Sequence, residues 1–161
     1  MKILFIQTGG TIDKDYPKKQ SGYAFEFGEP ATKRILEKLD MQLEYEIITA
    51  FQKDSLDITE EDRQKLVQLI KGRKEGRIII THGTDTLIET ARYLESQLKK
   101  RCVVLTGAMR PERFSNSDAA INLGMALAAV QLQDDGVYIC IQGLVQQASL
   151  IQRSMESGSF F

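Results

Sequence analysis

The sequence lacks a basic surplus, a long apolar run, and more than a trace of cysteine and histidine. Its 21 Lys and Arg residues stand against 22 Asp and Glu, a formal net charge of −1. Nothing global draws a polyanion, so nucleic acid is not an expected partner. No apolar stretch approaches the ~20 residues that a membrane helix needs, so no membrane partner is expected either. The apolar start of the chain is cut off by Gln7-Thr8-Gly9-Gly10, well short of the ~7–15 residues of a signal-peptide core. A cytoplasmic location is the resulting expectation. Cys102 and Cys140 each lie in an apolar, β-branched stretch, the setting of buried free thiols, with a disulfide between neighbouring central strands as the lesser alternative. No CxxC or Cys/His spacing suggests a metal, and His82 is the only histidine.

At 161 residues, 42% apolar and 27% charged, the chain has the size and composition of one ordinary globular domain. Residues 1–161 are read as that domain, with no internal linker or repeat. Five short apolar runs, Lys2–Gln7, Leu43–Thr49, Arg77–Thr81, Cys102–Thr106 and Val137–Ile141, are rich in Ile and Val and lack polar alternation. Such runs predict strands buried on both faces. Helical patterns lie between them, over Pro30–Leu39, Glu60–Lys71, Thr86–Lys99 and Asp118–Gln131. Pro30 opens the first, and Thr59 caps the second with Asp62 in a capping box. Leu87, Ala91, Leu94 and Leu98 recur at helical spacing in the third, as do Ile121, Met125, Ala128 and Leu132 in the fourth. Strands alternating with helices predict an α/β fold: a mostly parallel sheet with helices on both faces, a flavodoxin-like three-layer α/β/α arrangement.

In such sheets ligands sit beyond the carboxyl ends of the strands. The segments there are Thr8-Gly9-Gly10-Thr11-Ile12, Gln52-Lys53-Asp54-Ser55, Thr81-His82-Gly83-Thr84-Asp85-Thr86 and Thr106-Gly107-Ala108-Met109-Arg110-Pro111. They carry hydroxyls, glycines and carboxylates. None carries a full GxGxxG or GxxxxGK[ST] pattern, and Gly9-Gly10 alone makes a poor phosphate cradle. Glycines in the first segment let backbone approach a ligand and leave N–H groups for an oxyanion. A threonine there can act as a nucleophile if something takes its proton; the plain alternative is a tight turn. Thr84 or Asp85 is placed to cap the third helix, and the same position aims a hydroxyl and a carboxylate into the crevice. Asp54-Ser55 can hold a polar ligand head or simply turn towards Thr59. His82 reads as a hydrogen-bonded structural histidine. Ser115, Ser117 and Asp118 read as a cap for the fourth helix. The polar segment Asp13–Glu29, containing Tyr23 and Phe25, reads as a hairpin or flap over the end of the first strand.

Thr8-Gly9-Gly10-Thr11-Ile12, Thr81-His82-Gly83-Thr84-Asp85-Thr86 and Thr106-Gly107-Ala108-Met109-Arg110-Pro111 together resemble the bacterial-type L-asparaginase/glutaminase family in order, spacing and strand context. The resemblance covers nearly the whole chain but only the family's N-terminal domain. Typical members are roughly twice as long, so the C-terminal family domain is expected to be absent here, as in short single-domain members. It implies hydrolysis of the side-chain amide of L-asparagine, or of L-glutamine, to the acid and ammonia through an acyl-enzyme. Thr11 would be the nucleophile, Thr84 the second catalytic threonine, and Asp85 its partner and an anchor for the substrate α-amino group. Tyr23 would be the flap tyrosine that assists the nucleophile, with Phe25 as the competing alignment. Asp54 and Ser55 would bind the α-carboxylate region. Gly10, Gly83 and Ala108 would complete the substrate pocket. No metal or organic cofactor is implied; the partner is a small amino-acid substrate, and a homo-oligomer, dimer or higher, is expected.

One departure bears on activity. The family supplies a lysine to the second threonine after the fifth strand, whereas residues 142–153 contain none and the last lysine is Lys100. Arg153 supplies charge there, but a guanidinium is a poor proton acceptor. The alternative expectation is therefore a weak or inactive amino-acid-binding or regulatory protein of the same fold. An amidase-like component delivering ammonia to a partner enzyme is a third reading.

Overall fold

The computed structural model describes residues 1–18 and 24–161. In chain order the elements are β1 (Lys2–Gly9), β2 (Lys14–Asp15), β3 (Glu26–Phe27), α1 (Ala31–Leu36), β4 (Glu44–Lys53), α2 (Glu60–Lys71), β5 (Arg77–Thr81), α3 (Leu87–Gln97), β6 (Cys102–Thr106), α4 (Ala119–Leu132), β7 (Gly136–Ile141) and β8 (Leu144–Gln147). The main sheet runs β4-β1-β5-β6-β7-β8. All of its pairings are parallel except β7 with β8. Counting only parallel strands, the spatial order is second, first, third, fourth, fifth, the flavodoxin-like winding, whose direction reverses between β1 and β5.

Strand alternation sends successive side chains to opposite layers. Leu4, Ile6, Ile78 and Ile80 pack with Leu66, Ile70, Leu87 and Leu94 of α2 and α3. Ile3, Phe5 and Ile79 pack with Ile35, Leu36, Leu123 and Val130 of α1 and α4. The sheet core is thus dry on both faces, and each fully buried Ile or Leu contributes about 1.5–3 kcal/mol. α2 has the predicted bounds and its capping box: Asp62 N–H donates to Thr59 Oγ1, and Asp62 Oδ2 accepts from Thr59 N–H.

Several expectations are corrected. β4 is an edge strand and only partly buried, because one side of it has no neighbouring strand among the described residues. α1 is shorter than expected, with Pro30 preceding it as the N-cap rather than lying inside. α4 turns a different face inward: Ile121 and Leu132 are exposed, while Ala119, Leu123, Ala126 and Val130 are buried. Its sequence is apolar nearly all round, so spacing alone could not choose the face. β8 was not foreseen; Gln142 and Gly143 both take positive φ (50° and 84°), the two-residue hairpin turn whose twist suits paired strands. Cys102 and Cys140 are free and buried. Cys102 begins β6 and Cys140 pairs with Thr106 at its far end, too far apart for a disulfide.

Candidate active site

The switch point between β1 and β5 is where the first and third turns meet. Gly10 takes φ 83° and ψ 178°, open only to glycine, and a β-carbon there would overlap the Gly83 backbone and lie 2.7 Å from the His82 carbonyl carbon. Gly83 in turn has room for no side chain, because a β-carbon would lie 2.7 Å from Ser55 Cβ and Oγ. A β-carbon on Gly107 would collide with the His82 carbonyl oxygen and lie 3.7 Å from Thr84 Cγ2. The turns after β1, β4, β5 and β6 are therefore stacked backbone to backbone. Gly10, Ser55, Gly83 and Thr84 meet in this one cluster, and Thr11 and Ala108 each follow one of its glycines in the chain. Gly10 N–H donates to the Lys53 carbonyl (3.0 Å), so it is not free for an oxyanion as the sequence suggested.

Hydroxyls around the crevice divide into two sets. Thr8 Oγ1 donates to the Thr81 carbonyl (2.7 Å), Thr86 Oγ1 to the Ser55 carbonyl (2.7 Å) and Thr106 Oγ1 to the Cys140 carbonyl (2.7 Å). These hold the turns. The Thr11 and Thr84 hydroxyls make no hydrogen bond among the described residues. Ser55 is buried and accepts the Asp85 N–H on its Oγ (3.2 Å). Ala108 is fully buried beside α4. Neither Thr84 nor Asp85 caps α3: the N-cap is Thr86, without a side-chain bond, because the turn bends toward Ser55 before the helix begins. Asp85 instead pairs with Arg153 (3.1 Å), whose guanidinium also donates to the Thr84 carbonyl (2.9 Å). Arg153 is held by the Gly158 carbonyl (3.1 Å) and by the Phe160 ring, 5.2 Å from its centroid.

Asp54 is half exposed and pairs with Lys14 (2.8 Å), which links the β4 turn to the strand after Thr11. Lys14–Asp15 pairs antiparallel with Glu26–Phe27, the expected hairpin. Tyr16, Phe25 and Phe114 form an aromatic cluster against it, with ring centroids 5.7–6.2 Å apart. Phe25 stands in that cluster; Tyr23 lies outside the described residues. Ser117 Oγ accepts the Ala119 N–H at the start of α4, while the Asp118 carboxylate instead accepts the N–H groups of Met109 and Arg110. Among the described residues no three His, Cys, Asp or Glu side chains gather to hold a metal ion.

Residues not singled out from the sequence also shape the site. Asn122 donates to the Gly107 carbonyl (3.0 Å) and to Asp118 (2.8 Å); the Asp118/Asn122 spacing of one helical turn was its only signal. Asp13, next but one after Thr11, is fully buried, which no local pattern announces.

Two buried groups at the site titrate abnormally. Burial pushes the Asp13 carboxyl up from 3.8 to about 6, against hydrogen bonds from Ala31, Gln7 and Thr81. Burial pulls the His82 imidazole down from 6.5 to about 4, against its bond to the Gly83 carbonyl. His82 is thus neutral and structural, its Nδ1 2.7 Å from the Gly83 oxygen. The two act on stability with opposite sign. Folded Asp13 holds its proton longer than the unfolded chain, so its contribution falls as pH rises from about 4 to 6. Folded His82 loses its proton sooner, so its contribution falls as pH drops through the same range. The two shifts therefore oppose one another between about pH 4 and 6. Asp13→Asn is expected to break the balance, exceeding the wild type in stability at pH 7 and converging on it near pH 4. Urea denaturation at pH 7, 5.5 and 4 measures this; a difference independent of pH would contradict it.

The fold and this cluster define a doubly wound α/β domain with a hydroxyl- and glycine-rich crevice at its switch point. Residues 2–159 match the family described as asparaginase, N-terminal, and the chain belongs to the asparaginase family. It is 34% identical over 132 residues to an L-asparaginase of Bacillus licheniformis, covering 78% of this chain and 40% of that one. It is 28% identical over 134 residues to a glutaminase-asparaginase of Acinetobacter glutaminasificans, covering 78% and 40%. Among solved structures, the thermostable L-asparaginase from Thermococcus kodakarensis matches with a TM-score of 0.86 at 29% identity, covering 100% of this chain and 51% of that one. The chain spans about half the length, or less, of these relatives. Among the described residues no helix is long and apolar enough to cross a membrane.

Proposed function

We propose that the chain hydrolyses the side-chain amide of L-asparagine to aspartate and ammonia, with L-glutamine as a second substrate. The observation that carries this reading is the pair of hydroxyls without a hydrogen bond among the described residues, Thr11 and Thr84, on turns whose glycines touch at the switch point. Thr11 Oγ attacks the amide carbon, and its proton ends on the departing nitrogen, so that ammonia leaves and an ester forms. Water then cleaves the ester, giving aspartate and restoring the hydroxyl. Thr84 is the second catalytic threonine, with Asp85 as its partner and the anchor for the substrate α-amino group; Ser55 and Asp54 lie near the α-carboxylate, and Gly10, Gly83 and Ala108 form the pocket wall. Tyr23 assists Thr11. The protein works as a homo-oligomer in the cytoplasm.

A second reading is favoured by one feature. Arg153 occupies the Asp85 carboxylate and the Thr84 carbonyl, and a guanidinium does not take up a proton. General-base assistance contributes about 10²–10⁴-fold, so a pocket without it can bind an amino acid and turn over slowly. Ammonia release from L-asparagine and L-glutamine decides between the two. Steady release supports the amidohydrolase; calorimetric binding of aspartate without release supports the binding protein.

A further inference from the structure

We propose that Asp13 is a positioning residue for Thr11: its buried carboxylate ties the Thr11 turn both to the end of the strand that leads to Thr84 and to the start of α1. The inference rests on the reading of Thr11 as the reacting group. Thr11–Asp13 is a single 3-10 turn, too short to hold its own shape. Its internal support is the Asp13 N–H bond to the Gly10 carbonyl (3.1 Å) and the Lys14 N–H bond to the Thr11 carbonyl.

Outside the turn, the Glu112 N–H donates to the Ile12 carbonyl (3.3 Å) and the Ile12 side chain is buried in the core, and further ties run through Asp13. Oδ1 accepts the Ala31 N–H at the start of α1 (2.7 Å), and Oδ2 accepts the Thr81 hydroxyl (3.3 Å). The Asp13 main-chain oxygen accepts the Gly28 N–H (3.1 Å), so one residue secures both ends of the segment between β1 and α1. Thr81 ends β5, three residues before Thr84, so the carboxylate spans the two halves of the crevice. Arg34 is the charged side chain that acts on it from α1, and Arg34 is itself committed to Glu112 (2.6 Å). A buried carboxylate without an ion partner is costly, and such groups persist where function needs the geometry they impose.

The test is a set of three variants, each read by steady-state kinetics on L-asparagine and by amide hydrogen exchange of the full chain. Asp13→Ala is expected to lower kcat by about 10²-fold, the usual effect of a small misplacement of a reacting group, with KM within about threefold. Asp13→Asn is expected to recover kcat to within about fivefold of wild type, because an amide can accept from Ala31 and donate to the Thr81 oxygen. Thr81→Val removes one tie while leaving Asp13 in place, and lowers kcat in the same sense should the alanine variant fail to fold. Exchange at residues 10–15 and 26–31 is expected to accelerate in Asp13→Ala and not in Asp13→Asn. Wild-type kcat in both Asp13→Ala and Thr81→Val, or unchanged exchange in Asp13→Ala, overturns the proposal. The exchange readout is independent of turnover, so it tests the tie even where the hydrolase reading itself has failed.

Discussion

Thr11→Ala is expected to cut ammonia release from L-asparagine by at least about 10³-fold while the chain folds normally. The two halves of that expectation have separate grounds. The side chain is only partly buried and sits in a three-residue turn. Its hydroxyl makes no hydrogen bond among the described residues, so its loss leaves the core and sheet untouched. For the chemistry, no other free hydroxyl on the first turn could replace it, since Thr8 is buried and bonded to the Thr81 carbonyl. Thr84→Ala is expected to fall alongside it, because Thr84 stands on the turn that Gly10 touches. Ammonia release by a coupled assay, with circular dichroism as the control for folding, measures both. Wild-type turnover in Thr11→Ala would remove it as the nucleophile.

Gly10→Ala carries the largest structural effect. The β-carbon would meet the Gly83 backbone and the His82 carbonyl carbon, and the φ of 83° with ψ of 178° suits no L side chain. Adverse backbone geometry costs about 1–3 kcal/mol and steric overlap in a packed region a similar amount. A loss of about 4 kcal/mol lowers Tm by roughly 10 °C in a chain of this size. The relief route is to push the first turn off the third, which separates Thr11 from Thr84, so turnover falls together with stability. Thermal denaturation and ammonia release on the same preparation check it; a Tm within about 2 °C of wild type, worth under roughly 1 kcal/mol, with full turnover would show that the turns are not pressed together.

Much of the fold was legible because its causes are local. The Thr59-Asp62 pair starts α2 where the sequence put it, since a capping box is complete within four residues. The Ile-rich runs became central parallel strands, since burial on both faces demands apolar residues at every position. Less was legible where a neighbour decides the outcome. The apolar run at β4 looks like a central strand, and only its place at the sheet edge leaves it half exposed. Ile121 and Leu132 fit a helical stripe as well as the residues that are in fact buried, since α4 offers apolar side chains on every side. The capping role foreseen for Thr84 and Asp85 gave way to contacts with Ser55 and Arg153, residues far away in the chain.

By itself the amino-acid sequence determined the alternation of strands and helices, the hydroxyls and glycines at the strand ends, and through three of those segments the asparaginase family. Periodicity and turn chemistry act over a few residues, so one dimension suffices to record them. Only the tertiary structure decided that Gly10 rests on Gly83, that Arg153 reaches Asp85, and that Asp13 is buried beneath the turn of Thr11. Those contacts join residues far apart in the chain, 68 positions in the case of Arg153 and Asp85, across crossovers whose close packing fixes the distance between turns. No local pattern encodes a distance of that kind.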